Sequence, residues 1–170
     1  LLAAADAQSA SYLRRDRIVV SPILTTSGAV LPYTGANLEP QADLAGADLT
    51  DADLYYADLT EAKLGGADLS AAYLRETNLG SADLTGANLT GANLTEADLT
   101  GADLADANLT EANLTEANLT DANLEGANLE GAYYLGTTTG APFYDAGTDF
   151  TNAWDGAPDS NPFDPEAAGW

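Results

Sequence analysis

The 170-residue chain contains no cysteine, no histidine and no methionine. Without Cys there are no disulfides and no thiolate nucleophiles. Without His there is no imidazole, so Ser-His-Asp and Cys-His catalysis and His/Cys metal sites are excluded. The lack of Cys leaves the redox compartment open. Basic residues are scarce, 5 Lys+Arg against 27 Asp+Glu, for a net charge of −22. Such a body repels nucleic acid and anionic membrane surfaces, so neither is expected as a direct partner. No run approaches the ~20 apolar residues of a membrane span, and membrane insertion is not expected. Apolar residues are nonetheless too frequent and too periodic for disorder.

What is present is a repeat. Leucine falls on every fifth residue from Leu44 to Leu129, with Ala two residues before each except at Thr77. The unit reads A-[DN]-L-T-[GED]. Five residues advance a helix by roughly 140° beyond a full turn, so the leucines would spiral and form no stripe. A flat strand alternates with period two and would send successive leucines to opposite faces. An extended Ala-x-Leu segment followed by a bend satisfies both residues, because residues two apart point the same way. Repeated bends wind the chain into a solenoid with Leu and Ala inside and Asp, Asn, Thr and Glu outside.

The segment "ADLTGANLTGANLTEADLTGADLADANLTEANLTEANLTDANLEGANLEGA" resembles the pentapeptide-repeat proteins. The resemblance covers slightly over half of the chain and implies an all-β fold, a right-handed quadrilateral β-helix with four repeats per coil. Residues twenty apart would then stack. Leu44, Leu64, Leu84, Leu104 and Leu124 form one core column, and Gly46, Gly66, Gly86, Asp106 and Gly126 one corner, where glycine suits a tight bend. Tyr56, Glu76, Glu96 and Glu116 form another column, an acidic ladder. The outward Asx position is Asp-rich early and Asn-rich late. Asn ladders can bond along a stack, whereas Asp ladders repel.

Three regions are expected: residues 1–36 as an N-terminal extension of short helix plus strands, 37–135 as the repeat body, and 136–170 as an irregular C-terminal cap and tail. Leu1–Asp16 is Ala-rich and free of Gly and Pro, which favours a short helix. Strands are expected at Ile18–Val20, Ile23–Thr25 and Ala29–Leu31, capping the first coil or pairing with another subunit. Leu38 reads as an out-of-phase first repeat. Phe143, Tyr144, Phe150 and Trp154 are the bulky residues for a C-terminal cap, and Thr148-Asp149-Phe150-Thr151-Asn152 echoes the repeat. Ala5-Asp6-Ala7 fits a small-residue cleavage pattern. With the tail's faint likeness to secreted bacterial repeat proteins, it gives the expectation of an extracellular, envelope or periplasmic location.

Arg14, Arg15 and Arg17 are the one basic cluster of an acidic chain. They are either solvated beside local Asp residues or dock on the acidic body of a neighbouring subunit. Tyr55, Tyr56 and Tyr73, with Arg75 beside them, break the polar surface pattern. They read as exposed aromatics packing on their neighbours or as a contact patch. The carboxylates lie on a convex, solvated surface in like settings, which does not suit acid–base pairing, and no enzyme is expected. The column Glu76, Glu96, Glu116 offers hard oxygen ligands for weakly bound Ca2+, though no D-x-D-x-D-G loop is present. No other cofactor is expected.

These features point to a non-catalytic structural protein, exported and self-associating head-to-tail into a filament or envelope layer through its extensions. A generic protein-binding scaffold is the plainer alternative. The family resemblance implies a third, since some members mimic duplex DNA and occupy a type II topoisomerase. The charge fits that reading; the Leu centres and the Gly/Pro-rich tail depart from those members, which often carry Phe centres and a C-terminal helical module.

Overall fold

A computed structural model describes residues 12–15, 19–20, 23–29, 37–133, 135 and 148. Within the repeats one local arrangement recurs every five residues. The leucine carbonyl accepts from the N–H of the Ala three residues on, as in Ala67 N to Leu64 O at 2.9 Å and Ala92 N to Leu89 O at 3.0 Å. The residue before that Ala has positive φ, +66° at Gly66, +60° at Glu96 and +58° at Glu116. A turn whose second central residue alone is left-handed is of type II. Glycine takes this corner without cost, but Asp, Glu, Ser, Ala71 and Tyr56 occupy it too. The Asx side chain starts the bend. Asn88 Oδ1 accepts from Thr90 N at 3.2 Å and Thr90 Oγ1 at 2.7 Å. The unit's Asx-Leu-Thr order is therefore an Asx-turn leading into the corner.

Four such turns close one coil. Parallel bridges link residues twenty apart, Asp48 to Asp68, Asp68 to Asn88, Asn88 to Asn108 and Asn108 to Asn128. Leu64 N–H donates to Asp83 O at 2.6 Å, and Asp83 N–H returns a bond to Ala62 O at 2.9 Å. The fold is a right-handed quadrilateral β-helix whose sides are too short for more than one bridge each. The central leucines and alanines, Leu44, Leu64, Leu84, Leu104 and Leu124 among them, are buried. Leu38 joins this core. Thr77, the break in the Ala column, is fully buried and donates its hydroxyl to Leu54 O at 2.9 Å. A buried hydroxyl is tolerated because that bond satisfies it.

The N-terminal extension departs from expectation. Within the stretch read as helical, Tyr12–Leu13 is a strand, β1, paired antiparallel with β2, Val19–Val20. Ala-rich composition favours helix only weakly, and tertiary pairing overrides it. The rest of that stretch lies outside the described residues. The strand expected at Ile23–Thr25 forms as β3, Leu24–Thr25, and pairs antiparallel with β4, Ala52–Asp53, in the first coil. Ala29 is not in a strand. Ile23 is buried in the common core. Of the bulky C-terminal residues, Phe143, Tyr144, Phe150 and Trp154 lie outside the described residues. Thr148 Oγ1 donates to Leu124 O at 2.8 Å.

Candidate interaction face

Twenty-residue stacking sorts the outward positions into four faces. The faces centred on Leu44, Leu49 and Leu59 carry Asp, Asn, Thr and small residues, with Lys63 and Glu125 on the first and Glu130 on the second. The third face, centred on Leu54, Leu74, Leu94 and Leu114, is different. Its two outward columns run Asp53, Tyr73, Asn93, Asn113, Tyr133 and Tyr55, Arg75, Thr95, Thr115, Leu135. With Tyr56 at its corner, it holds all four aromatics of residues 37–133. From Tyr73 to Leu135 these two columns contain no carboxylate.

At the N-terminal end of this face the aromatic rings gather. Tyr55 lies 6.2 Å from Tyr73, stacked, and 5.9 Å from Tyr56, tilted. Tyr55 donates its hydroxyl to Glu76 Oε1 at 3.2 Å. The Glu76 carboxylate pushes the Tyr55 phenol above its ordinary value, with partial burial adding to the effect. Arg75 reaches Glu96 Oε1 at 2.6 Å and Glu76 Oε1 at 3.5 Å. Its bond to Glu96, then one to Tyr73, hold the guanidinium above its ordinary range. The corner glutamates proposed as calcium ligands are thus bridged by a cation of the protein at Glu76 and Glu96. Glu116 follows in the same column. Among the described residues no group of three or more His, Cys, Asp or Glu is placed to hold a metal ion.

Arg14 and Arg15 come to this same place, within one chain. The Arg14 guanidinium sits 5.6 Å from the Tyr55 ring centre and 5.4 Å from that of Tyr56, and Arg15 lies 5.6 Å from Tyr56. Arg15 Nη1 donates to Glu76 O at 3.3 Å, and its N–H to Tyr56 O at 2.9 Å. Arg14 bridges Ala57 antiparallel. Thr26 adds a backbone bond to Asp51 O at 2.9 Å and a hydroxyl bond to the Asp51 carboxylate. The residues read as a subunit contact, Arg14, Arg15, Tyr55, Tyr56, Tyr73 and Arg75, therefore form one cluster, made in cis. Arg17 lies outside the described residues. Sequence reasoning missed Glu76 as the carboxylate of this cluster, although its place above Tyr56 in the corner column was a usable signal.

The geometry defines the class: a β-helical solenoid with one differentiated face. Comparison names the family. The family model for pentapeptide repeats matches in eight copies, over residues 34–70, 52–91, 62–101 and 92–131, more than half of the chain. The chain belongs to the pentapeptide-repeat family. Three solved structures are similar to it. Rfr23 from the cyanobacterium Cyanothece 51142 is 39% identical, with 54% of this chain and 63% of that chain covered, at a TM-score of 0.44. A protein of the Arabidopsis thaliana thylakoid lumen is 39% identical, with 60% and 67% covered, at 0.45. HetL from Nostoc sp. strain PCC 7120, a protein involved in heterocyst differentiation regulation, is 33% identical, with 76% and 63% covered, at 0.44. The chain thus spans less than two thirds of Rfr23 and of HetL. No curated protein matches it.

Proposed function

We propose that the protein is a non-catalytic structural protein that self-associates, with the third face as its contact surface. The observation that carries this reading is the composition of that face. A chain of net charge −22 meets its own copies with strong repulsion, and the two columns from Tyr73 to Leu135 carry no carboxylate of their own, the nearest being the Glu76, Glu96 and Glu116 corner beside them. Among the described residues the exposed large hydrophobics are Tyr133 at 47% and Leu135 at 51%, both on this face. Aromatic and Arg side chains are enriched at interface centres, and acidic ones are depleted. Tyr55, Tyr73 and Arg75 mark one end of the face, Tyr133 and Leu135 the other. Pairing unlike ends is heterologous, and such a contact builds a filament where its rotation does not close.

Sedimentation velocity over a concentration series, with negative-stain imaging of the same samples, tests this. The wild-type chain is expected to grow in size with concentration. Tyr133→Asn with Leu135→Thr repeats what the face carries at Asn113 and Thr115, and is expected to stay small. A wild-type protein that remains one monomeric species at every concentration overturns the reading.

A further inference from the structure

We infer that the tyrosine cradle at the N-terminal end of the third face is a docking site for the arginine-bearing arm of a second copy. Association of copies then proceeds by arm exchange. This rests on the self-association reading and names the partner element.

The strip is a necessary part of the contact but is too small to hold two copies by itself. Three coil steps at ~4.8 Å put Tyr73 and Tyr133 about 14 Å apart along the axis. A strip of that length offers on the order of 200 Å², against ~800 Å² per partner in a stable interface. Something longer must cross between copies, and the arm is built for it. The hydrogen bonds and bridges described above tie it to residues 51–57 and to Glu76. Coil joins coil by parallel bridges, whereas the arm adds to the first coil's edge antiparallel, through β3 on β4 and Arg14 on Ala57. It is an added strand, a mode by which separate chains also bind a sheet edge.

The cradle is matched to guanidinium. Two tyrosine rings face Arg14, and Tyr56 faces Arg15 as well. Planar guanidinium stacks on aromatic faces in a way that ammonium does not. Tyr56 holds this position at φ +61°, in a corner where glycine is the unstrained choice. Charge argues for the same occupant, because the arm carries Arg14, Arg15 and Arg17, three of only five Lys+Arg in the chain. Exchanging an identical element between copies creates no new contact type and is a low-cost route to association.

Two full-length variants test the exchange by complementation. Arg14→Ala with Arg15→Ala breaks the arm and leaves the cradle. Tyr55→Thr with Tyr56→Gly breaks the cradle and leaves the arm, and restores the unit's own Thr-Gly ending, so the coil is preserved; circular dichroism checks both. Each alone is expected to sediment as a monomer, and an equimolar mixture as a 1:1 dimer. A mixture that sediments as the sum of its parts overturns arm exchange. If the wild type assembles but the mixture does not pair, exchange falls and association stands. If the mixture pairs while the wild type stays monomeric, exchange stands and wild-type association falls; if neither occurs, both fall. Arg14→Lys with Arg15→Lys, placed in the arm-donating variant, is expected to weaken pairing about fivefold. Undiminished pairing would show that charge alone acts, and would overturn the guanidinium match.

Discussion

From Thr77 to Tyr133 each coil meets the next through parallel bridges, Asx-turns and left-handed corners that are mostly glycine or acidic, and this backbone pattern recurs from coil to coil. At the first coil, residues 51–57 meet the arm antiparallel, through tyrosines and arginines that occur once. The two regions share a backbone and differ in how stability is distributed. In a solenoid it is a sum of near-equal nearest-neighbour terms, while an open end exposes an edge that needs its own solution. The difference teaches that periodic residues make the rod and aperiodic ones decide what meets it.

The largest expected effect breaks the rod. Leu94 is fully buried in the middle of the stack, and Leu94→Ala is expected to cost about 3 kcal/mol in urea unfolding, from lost transfer energy and the cavity left behind. Ile23 is just as buried, at 2% exposure, but on the arm. Ile23→Ala is expected to move the main transition by less than about 1 kcal/mol and to speed amide exchange at Leu24 and Thr25, because a docked segment opens separately. Equal losses from the two substitutions would mean that arm and rod unfold as one unit.

Next comes a corner. Gly126 has φ +71°, and a Cβ there would run into the Asp106 carboxylate of the coil below; Gly86 has φ +63° and open space. Gly86→Ala is expected to cost about 1 kcal/mol for the left-handed backbone alone. Gly126→Ala should cost about 2 kcal/mol or more, since the clash adds to the strain. Asp106→Gly in the same chain should bring it back to the Gly86→Ala value once the gain of Asp106→Gly alone, which relieves a φ of +57° at that corner, is subtracted. Thermal melts of the wild type, the three single variants and the double variant check this, and a double variant no better than Gly126→Ala removes the steric explanation.

These corners show what was legible in the sequence. The five-residue period and the inward Leu and Ala could be read because both follow from local geometry, and twenty-residue stacking followed from the family resemblance. Gly46, Gly66 and Gly86 announced a bend, but Glu76, Glu96 and Glu111 adopt the same positive φ without a compositional sign of it. The Asn ladder was half right. Asn88 Nδ2 donates to Asp68 Oδ1 at 3.1 Å, and Asn123 Nδ2 to Asp103 Oδ1 at 3.0 Å. In these pairs Asn lies over Asp, turning like-charge stacking into a hydrogen bond. Tyr55, Tyr56, Tyr73 and Arg75 stood out because they broke the pattern. That Arg14 and Arg15 reach them in cis was hidden, since a contact across forty or more residues of a non-repeating segment leaves no period to read.

A smaller effect separates the two kinds of corner. Ala71 holds φ +56° with neither a glycine's freedom nor a polar side chain to justify it. Ala71→Gly relieves the left-handed strain and gives back part of it in unfolded-chain entropy, for an expected gain of up to about 1 kcal/mol. A loss in the melting midpoint would show that corner strain in the rod is negligible, and would leave the strain at Tyr56 without significance.

The smallest effect is electrostatic. Asp68 accepts from Ser70 N at 3.0 Å and from Asn88 Nδ2 at 3.1 Å. Its carboxyl lies below its ordinary value of 3.8, chiefly through bonding to Ser70, then to Asn88 and Thr50. A carboxyl held low in the folded state binds fewer protons than in the unfolded chain. Its contribution is therefore complete above about pH 4 and is lost as pH falls through the folded value. Asp68→Asn, which cannot titrate, should be less stable than the wild type near pH 7, where the carboxylate's contribution is complete, and converge with it below the carboxyl range, so that its decline on acidification is flatter. Urea titrations of the wild type and the variant at pH 3, 4 and 7 check this. A variant whose stability falls on acidification as steeply as the wild type's would mean that the bonds to the Asp68 carboxylate, and the Asn-over-Asp order that supplies one of them, do not govern how the rod responds to acid.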